Sequence, residues 1–170
     1  GEVIKSGGTV VKNVTGYDLS KLITGAYGTL AVLTEITLKV LPLPENINTL
    51  VVHDLSLENS VEILNNALNS STEVSGAVYF PKNVSEIFKL NDLKYEGSLA
   101  AIRLDGAKKS TNQRIQKLET ELSLKDKKIS ILDNIQSELF WKKTQNLEIF
   151  NNSSNSVIRI ILPPSECINL

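Results

Sequence analysis

Glycine and proline divide this chain before any other feature does. Most of its nine glycines, Gly1, Gly7, Gly8, Gly16, Gly25 and Gly28 among them, fall in residues 1–44, which close on Leu41-Pro42-Leu43-Pro44. Two prolines in that phrase cannot donate to a sheet ladder and hold the backbone extended, so it reads as a domain exit. The expected domains are residues 1–44 and 45–170. Within the first, Asp18 is placed to cap a short helix through Leu19, Leu22 and Ile23, which Gly25 ends. Residues 34–40 alternate strictly, with Ile36, Leu38 and Val40 on one side, which predicts a half-buried strand.

From Asn48 onward the periodicity is that of strands alternating with helices. Strands are predicted at 49–55, 75–80, 98–104, 128–132 and 157–162, and helices at 57–68, 111–122 and 135–150, with a short helix or turn at 84–90. Ser56 is a fair N-cap for the first of these helices, whose Val61, Leu64, Ala67 and Leu68 recur at spacings of three and four. Ile115, Leu118 and Leu122 mark the apolar stripe of the second. Pro163-Pro164 stop the last strand, and Ser165 could cap a helix beyond it. The order predicts an α+β fold: an elaborated, ferredoxin-like antiparallel sheet of split βαβ type with helices on one face.

Composition removes several functions. Eighteen Lys+Arg against 19 Asp+Glu leave a net charge of 18 − 19 = −1, so no global positive excess favours nucleic acid or an anionic membrane. A single cysteine, Cys167, excludes an internal disulfide framework and a Cys-rich metal site. No apolar run approaches the roughly 18–20 residues that span a bilayer, so no transmembrane segment is expected, and a cytoplasmic, reducing location is. Methionine is absent even at position 1, which reads as a portion of something longer.

The informative residues run from Ser6 to Pro42. Gly25-Ala26-Tyr27-Gly28-Thr29 is a small-residue loop between a predicted helix and a predicted strand. Such a loop exposes N–H groups that can approach a phosphate, ribose or base edge unobstructed by a side chain. Glycines at this spacing are more often plain turn geometry, so spacing alone does not decide.

The whole phrase carries more. Gly7-Gly8-Thr9-Val10-Val11-Lys12-Asn13-Val14-Thr15-Gly16-Tyr17-Asp18-Leu19, followed by Gly25-Ala26-Tyr27-Gly28-Thr29-Leu30-Ala31-Val32-Leu33-Thr34-Glu35, resembles the second half of the FAD-binding (PCMH-type) domain in the vanillyl-alcohol oxidase / p-cresol methylhydroxylase flavoprotein superfamily. Within it, the phrase is most like the FAD-binding subunit of bacterial glycolate oxidases. Phe140-Trp141 and Val157-Ile158-Arg159-Ile160-Ile161-Leu162-Pro163 resemble later phrases of that subunit.

The resemblance implies FAD as cofactor, with a 2-hydroxy acid oxidised by hydride transfer to the flavin. It implies that Asn13, Gly16, Tyr17, Asp18, Gly25, Gly28, Thr29, Leu30 and Val32 face the ADP half of FAD, mostly through main-chain groups, and that no residue here is a catalytic acid or base. Residues 45–170 would be the substrate-side, or cap, domain. A second flavin subunit and an iron–sulfur subunit would be the partners, and peripheral attachment at the inner membrane would come through them. Ala31 departs from the family's usual glycine, adding a methyl where backbone approach is close. The family's N-terminal FAD subdomain has no counterpart in these residues, so the 170-residue chain is expected to be inactive and to bind FAD poorly by itself. The competing reading is a stand-alone α+β interaction module, or a remnant without flavin activity.

Other chemistry-bearing residues read as structural. His53, the one histidine, lies in an apolar strand phrase without a second ligand nearby, and Cys167 has no histidine close in sequence. The lysines and arginine from 108 to 128 are interleaved with Glu119, Glu121 and Asp126, as on a solvated helix face. Phe140 and Trp141 read as core anchors. Arg103 and Arg159 alternate with apolar residues; each reads as solvent-facing or as a bidentate partner for a carboxylate. No metal-ligating constellation is present.

Overall fold

A computed structural model describes residues 1–10, 16–88, 95, 97–150 and 156–169, and divides the chain into two compact units, Gly1–Pro42 and Leu43–Leu170.

Among the described residues of the first unit the one regular element is α1 (Leu19–Ile23), capped by Asp18, whose Oδ1 accepts from the Lys21 N–H at 3.1 Å. Gly25, at φ +84°, turns the chain out of it. The strand expected at residues 34–40 does not form: the segment joins no ladder, and Ile36, Leu38 and Val40 are 63%, 75% and 80% exposed. Alternation supplies the right face but not the neighbouring backbone a strand must bond to, and no described residue offers that partner.

The second unit is built on four antiparallel strands, β1 (Asn46–His53), β2 (Gly76–Phe80), β3 (Leu99–Gly106) and β4 (Ile129–Leu132), in the order β2-β3-β1-β4. That is the split βαβ order, with β1 ladder-bonded to β3 along its whole length and to β4 along half of it. Helices α2 (Leu57–Leu68) and α4 (Lys108–Glu121) make the two crossovers, α3 (Lys82–Ser85) joins β2 toward β3, and α5 (Asn134–Gln145) follows β4.

Helices cover both faces rather than the one expected. Leu50, Val52, Ala100, Ile102 and Leu104 point to α2 and α4, where Ala67, Ile115 and Leu118 meet them. Val51, Leu99, Ala101 and Leu132 point the other way, onto Phe140 of α5 and onto Phe80, Phe88 and Tyr95. Flanked by strands and covered on both faces, β1 is buried at every residue but His53, its polar Asn46, Asn48 and Thr49 included. Each fully buried Leu, Ile or Val contributes roughly 1.5–3 kcal/mol relative to exposure.

Two further expectations are corrected. The helix predicted at 135–150 ends at Gln145, because Leu147 takes φ +52°, outside helical space; a 3-10 turn, Glu148–Phe150, follows. Its start is firm, since Asp133 and Gln136 form a reciprocal capping box at 2.8 and 3.2 Å. Residues 157–162 form no strand and are largely exposed; a 3-10 turn, Pro164–Asn169, closes the described chain. The helix or turn predicted at 84–90 is the shorter α3, and residues 89 and 90, like residues 151–155, lie outside the described residues. No helix among the described residues is long and apolar enough to cross a membrane.

Candidate functional site

The first unit carries the residues singled out in sequence, and its local geometry follows from its glycines. Gly16, Gly25 and Gly28 hold φ of +76°, +84° and +77°, and an added Cβ at any of them would meet nothing within 4 Å. Their need for glycine is therefore backbone conformation, not crowding. Tyr27, between two of them, is also left-handed at φ +50°. The loop closes on itself through Ala26 N–H to Ile23 O at 3.0 Å, Thr29 N–H to Ala26 O at 2.9 Å and Thr29 Oγ1 to Ala26 O at 2.6 Å. Among the described residues, the N–H groups of Tyr27, Gly28, Leu30 and Val32 make no backbone hydrogen bond.

Asp18 is tied down at the other end of α1. Beyond its cap it pairs with the Lys21 ammonium at 3.0 Å, and the hydrogen bond from Lys21 holds its carboxyl below the ordinary aspartate value. Tyr17, Tyr27, Leu30 and Val32 are exposed, at 92%, 98%, 61% and 86%. No described residue of Gly1–Pro42 is buried. Thus Gly16, Tyr17 and Asp18 stand at the start of α1 and Gly25, Gly28, Thr29 and Leu30 just past its end, roughly 7 Å of helix apart. They form an open strip of donors and apolar surface rather than a closed pocket. Asn13 lies outside the described residues.

In the second unit the candidates resolve as structure. His53 Nε2 lies 2.8 Å from Ser130 Oγ and its ring stacks on Tyr95 at 6.0 Å. Burial lowers its basicity, Lys128 lowers it further and Asp54 partly opposes both. Trp141 donates from Nε1 to Thr49 Oγ1 at 2.9 Å and meets Phe140 edge-on, as a core anchor does. Arg103 faces the α5 side and pairs with Asp105 at 3.3 Å, so its guanidinium is already engaged by a carboxylate of its own strand. A Cβ added at Gly76 would make ordinary van der Waals contact with Arg103 and Trp141 at 3.5 Å. Arg159 is exposed, and Cys167 is a half-buried free thiol.

Sequence reading missed two features. An open apolar groove of about 260 Å³ runs between β2 and the end of α5, walled by Val78, Phe80, Phe88, Leu147 and Phe150. Its signal was present in the aromatic residue before Pro81 and the apolar residues after Gln145, but the positive φ at Leu147 that aims them is invisible in sequence. The other is Tyr95, whose buried hydroxyl has no hydrogen-bond partner among the described residues and whose ionisation burial pushes up to about 12.

No protein-family model matches the chain. It is 42% identical over 80 residues to the glycolate oxidase subunit GlcE of Escherichia coli K12, a match covering 47% of this chain and 23% of that protein. It is 43% identical over 61 residues to the D-lactate dehydrogenase of Anaerostipes hadrus, covering 36% of this chain and 13% of the relative. An uncharacterized FAD-linked oxidoreductase of Mycobacterium tuberculosis is 52% identical over 42 residues, 25% of this chain and 9% of its own length. The chain's homologues are glycolate oxidase subunits and FAD-linked oxidoreductases that include D-lactate dehydrogenases, and it matches less than a quarter of the length of each of these three relatives.

Proposed function

We propose that this homologue of the FAD-linked glycolate and lactate oxidoreductases works within a larger FAD-dependent enzyme that oxidises a 2-hydroxy acid. In this reading residues 1–44 are the closing part of a PCMH-type FAD-binding domain, and residues 45–170 belong to the substrate-side cap domain. The observation that carries it is the strip from Gly16 to Val32. There, sequence likeness to flavoproteins coincides with positive-φ glycines, N–H donors free of backbone partners, and exposed apolar side chains.

Those features fit the ADP half of FAD. Adenine and ribose require main-chain donors and acceptors beside an apolar surface, and Gly25, Gly28 and Thr29 with Leu30 and Val32 offer both. Gly16, Tyr17 and Asp18, with Asn13, would supply the remaining contacts. Asp18 acts through position rather than proton transfer, because its carboxylate is held ionised by Lys21 and by its role as helix cap. FAD, when bound, supplies the hydride-accepting chemistry; the residues of this chain bind and orient it. A second flavin subunit and an iron–sulfur subunit are the proposed partners. The proposed location is cytoplasmic, with any membrane association arising through those partners.

The test is flavin binding followed by absorbance and fluorescence quenching. The 170-residue chain is expected to bind FAD more weakly than about 1 μM, because an open strip forfeits most of the buried contact a closed cleft provides. The same residues expressed with the coding sequence upstream of them should purify yellow. Failure of both forms to take up FAD would overturn the assignment, and micromolar binding by the chain alone would overturn the shared cleft.

A further inference from the structure

An unpaired sheet edge and an open apolar groove adjoin in the second unit, and an exposed apolar segment, residues 157–162, follows the groove in sequence without lining it. β2 ends the sheet order, so its outer side bonds to no strand among the described residues. The groove lies along that edge on the α5 side. Phe150, which walls it together with Phe80, stands seven residues before Val157 in sequence.

The path of the chain then settles which edge residues 157–162 pass. Before them, Phe150 sits on the α5 face beside β2. After them, the Pro164–Asn169 turn packs against α2, which lies over β2 and β3 on the opposite face. The short route between the two faces there is past the outer edge of β2; the other route crosses three strand spacings of about 4.8 Å each way.

The composition suits that edge. Val157, Ile158, Ile160 and Ile161 are β-branched and 54–83% exposed. Strict alternation puts Ile158, Ile160 and Leu162 on one side and Arg159 on the other.

We infer that residues 157–162, which the structure shows largely exposed and outside the four-stranded sheet, can dock as a fifth strand on the outer edge of β2, antiparallel to it, with Ile158, Ile160 and Leu162 closing the apolar groove. The direction follows from the segment leaving the Phe80 end of β2. The side follows from burial, since Val78 and Phe80 turn toward α5 and a one-residue slip would drive Arg159 into apolar surroundings. Flavin binding plays no part in this pairing, which needs only the second unit.

Hydrogen exchange by mass spectrometry on the intact chain tests it. In the wild type, amides of the Gly76–Phe80 peptide should exchange at least about tenfold more slowly than an unstructured peptide even at those positions that point away from β3. Ile160→Asp should abolish that outer protection, whereas Arg159→Asp, on the opposite side, should keep it. A peptide covering Ile115 and Leu118, in the distant helix layer, should be unchanged in both variants. Free exchange of half the β2 amides in the wild type overturns the inference whatever the variants do. Loss in Arg159→Asp but not Ile160→Asp overturns the face assignment, and protection that rises with protein concentration shows that a second copy, not this segment, pairs with the edge.

Discussion

The two units each carry a strand-like apolar pattern and treat it oppositely. In β1, Leu50 and Val52 point one way and Val51 the other, and all three are fully buried because β3 and β4 flank the strand and helices cover both faces. In residues 34–40, Ile36, Leu38 and Val40 keep as good a pattern, yet each is more than half exposed and no ladder includes them. Periodicity thus states which side of a segment wants burial; the neighbours decide whether burial occurs. In Leu43–Leu170 those neighbours lie in the same run of chain, whereas the described residues of Gly1–Pro42 provide none.

Deleting an apolar side chain from each unit tests this contrast with the largest expected effect. Phe140 is fully buried and its ring meets those of Phe80, Phe88, Tyr95 and Trp141 within 6.5 Å. Phe140→Ala should therefore cost about 3–5 kcal/mol in urea unfolding, enough to leave a marginal domain largely unfolded. Leu38→Ala in the same chain should change stability by less than about 0.5 kcal/mol. A loss of about 2 kcal/mol for Leu38→Ala would mean that the alternating face is buried in solution, and the contrast would collapse.

Glycine gives a smaller, sharper version. Gly97 and Gly25 share a left-handed backbone, φ +80° and +84°, but a Cβ at Gly97 would stand 1.8 Å from Asp54 Oδ1 while at Gly25 it meets nothing within 4 Å. Gly25→Ala should cost only the conformational penalty of about 1–2 kcal/mol, and only locally in a segment with no core. Gly97→Ala adds a steric conflict beside the junction where Asp54 N–H bonds Ser98 O at 2.9 Å, so its midpoint shift should be clearly larger. Equal shifts in thermal unfolding would show that backbone conformation alone governs both sites.

How far the fold was legible follows from the same distinction. Helix α2 was readable to the residue because Ser56 is a local cap that accepts from the Asn59 N–H at 3.2 Å, and α1 because Asp18 and Gly25 bracket it. The four strands of the sheet were readable in place from their β-branched and apolar residues, but β1 begins at Asn46, three residues before the predicted 49, and ends at His53, two before the predicted 55. Coverage of both faces was not, since it depends on α5 folding back, which no residue of α5 announces in isolation. Of the flavin-side residues, their glycine-dependent backbone and the capping role of Asp18 were legible; their arrangement at two ends of a short helix was not. The Arg103–Asp105 pair was missed because residues two apart on a strand share a face, a relation read for the apolar neighbours but not for the charges.

Acid titration separates the units by the smallest effect. His53 is half-buried, and burial holds its folded-state basicity below the ordinary value of 6.5, so at higher pH both folded and unfolded imidazoles are neutral and its contribution to stability is complete. As pH falls below 6.5 the unfolded chain takes up a proton that folded His53 resists, and stability declines until the folded ring titrates too. His53→Gln should therefore flatten the dependence of the urea midpoint on pH between about 7 and about 5. Asp18 acts in the opposite sense on charge and in a lower window: its depressed carboxyl favours the folded cap above the ordinary value of 3.8 and loses that advantage as pH drops through the folded value. Because the Asp18 carboxyl is held mainly by local hydrogen bonds from Lys21, Asp18→Asn should leave the unfolding midpoint of the second unit unmoved at every pH. A midpoint that follows Asp18 would mean that the first unit unfolds together with the second, although none of its described residues is buried.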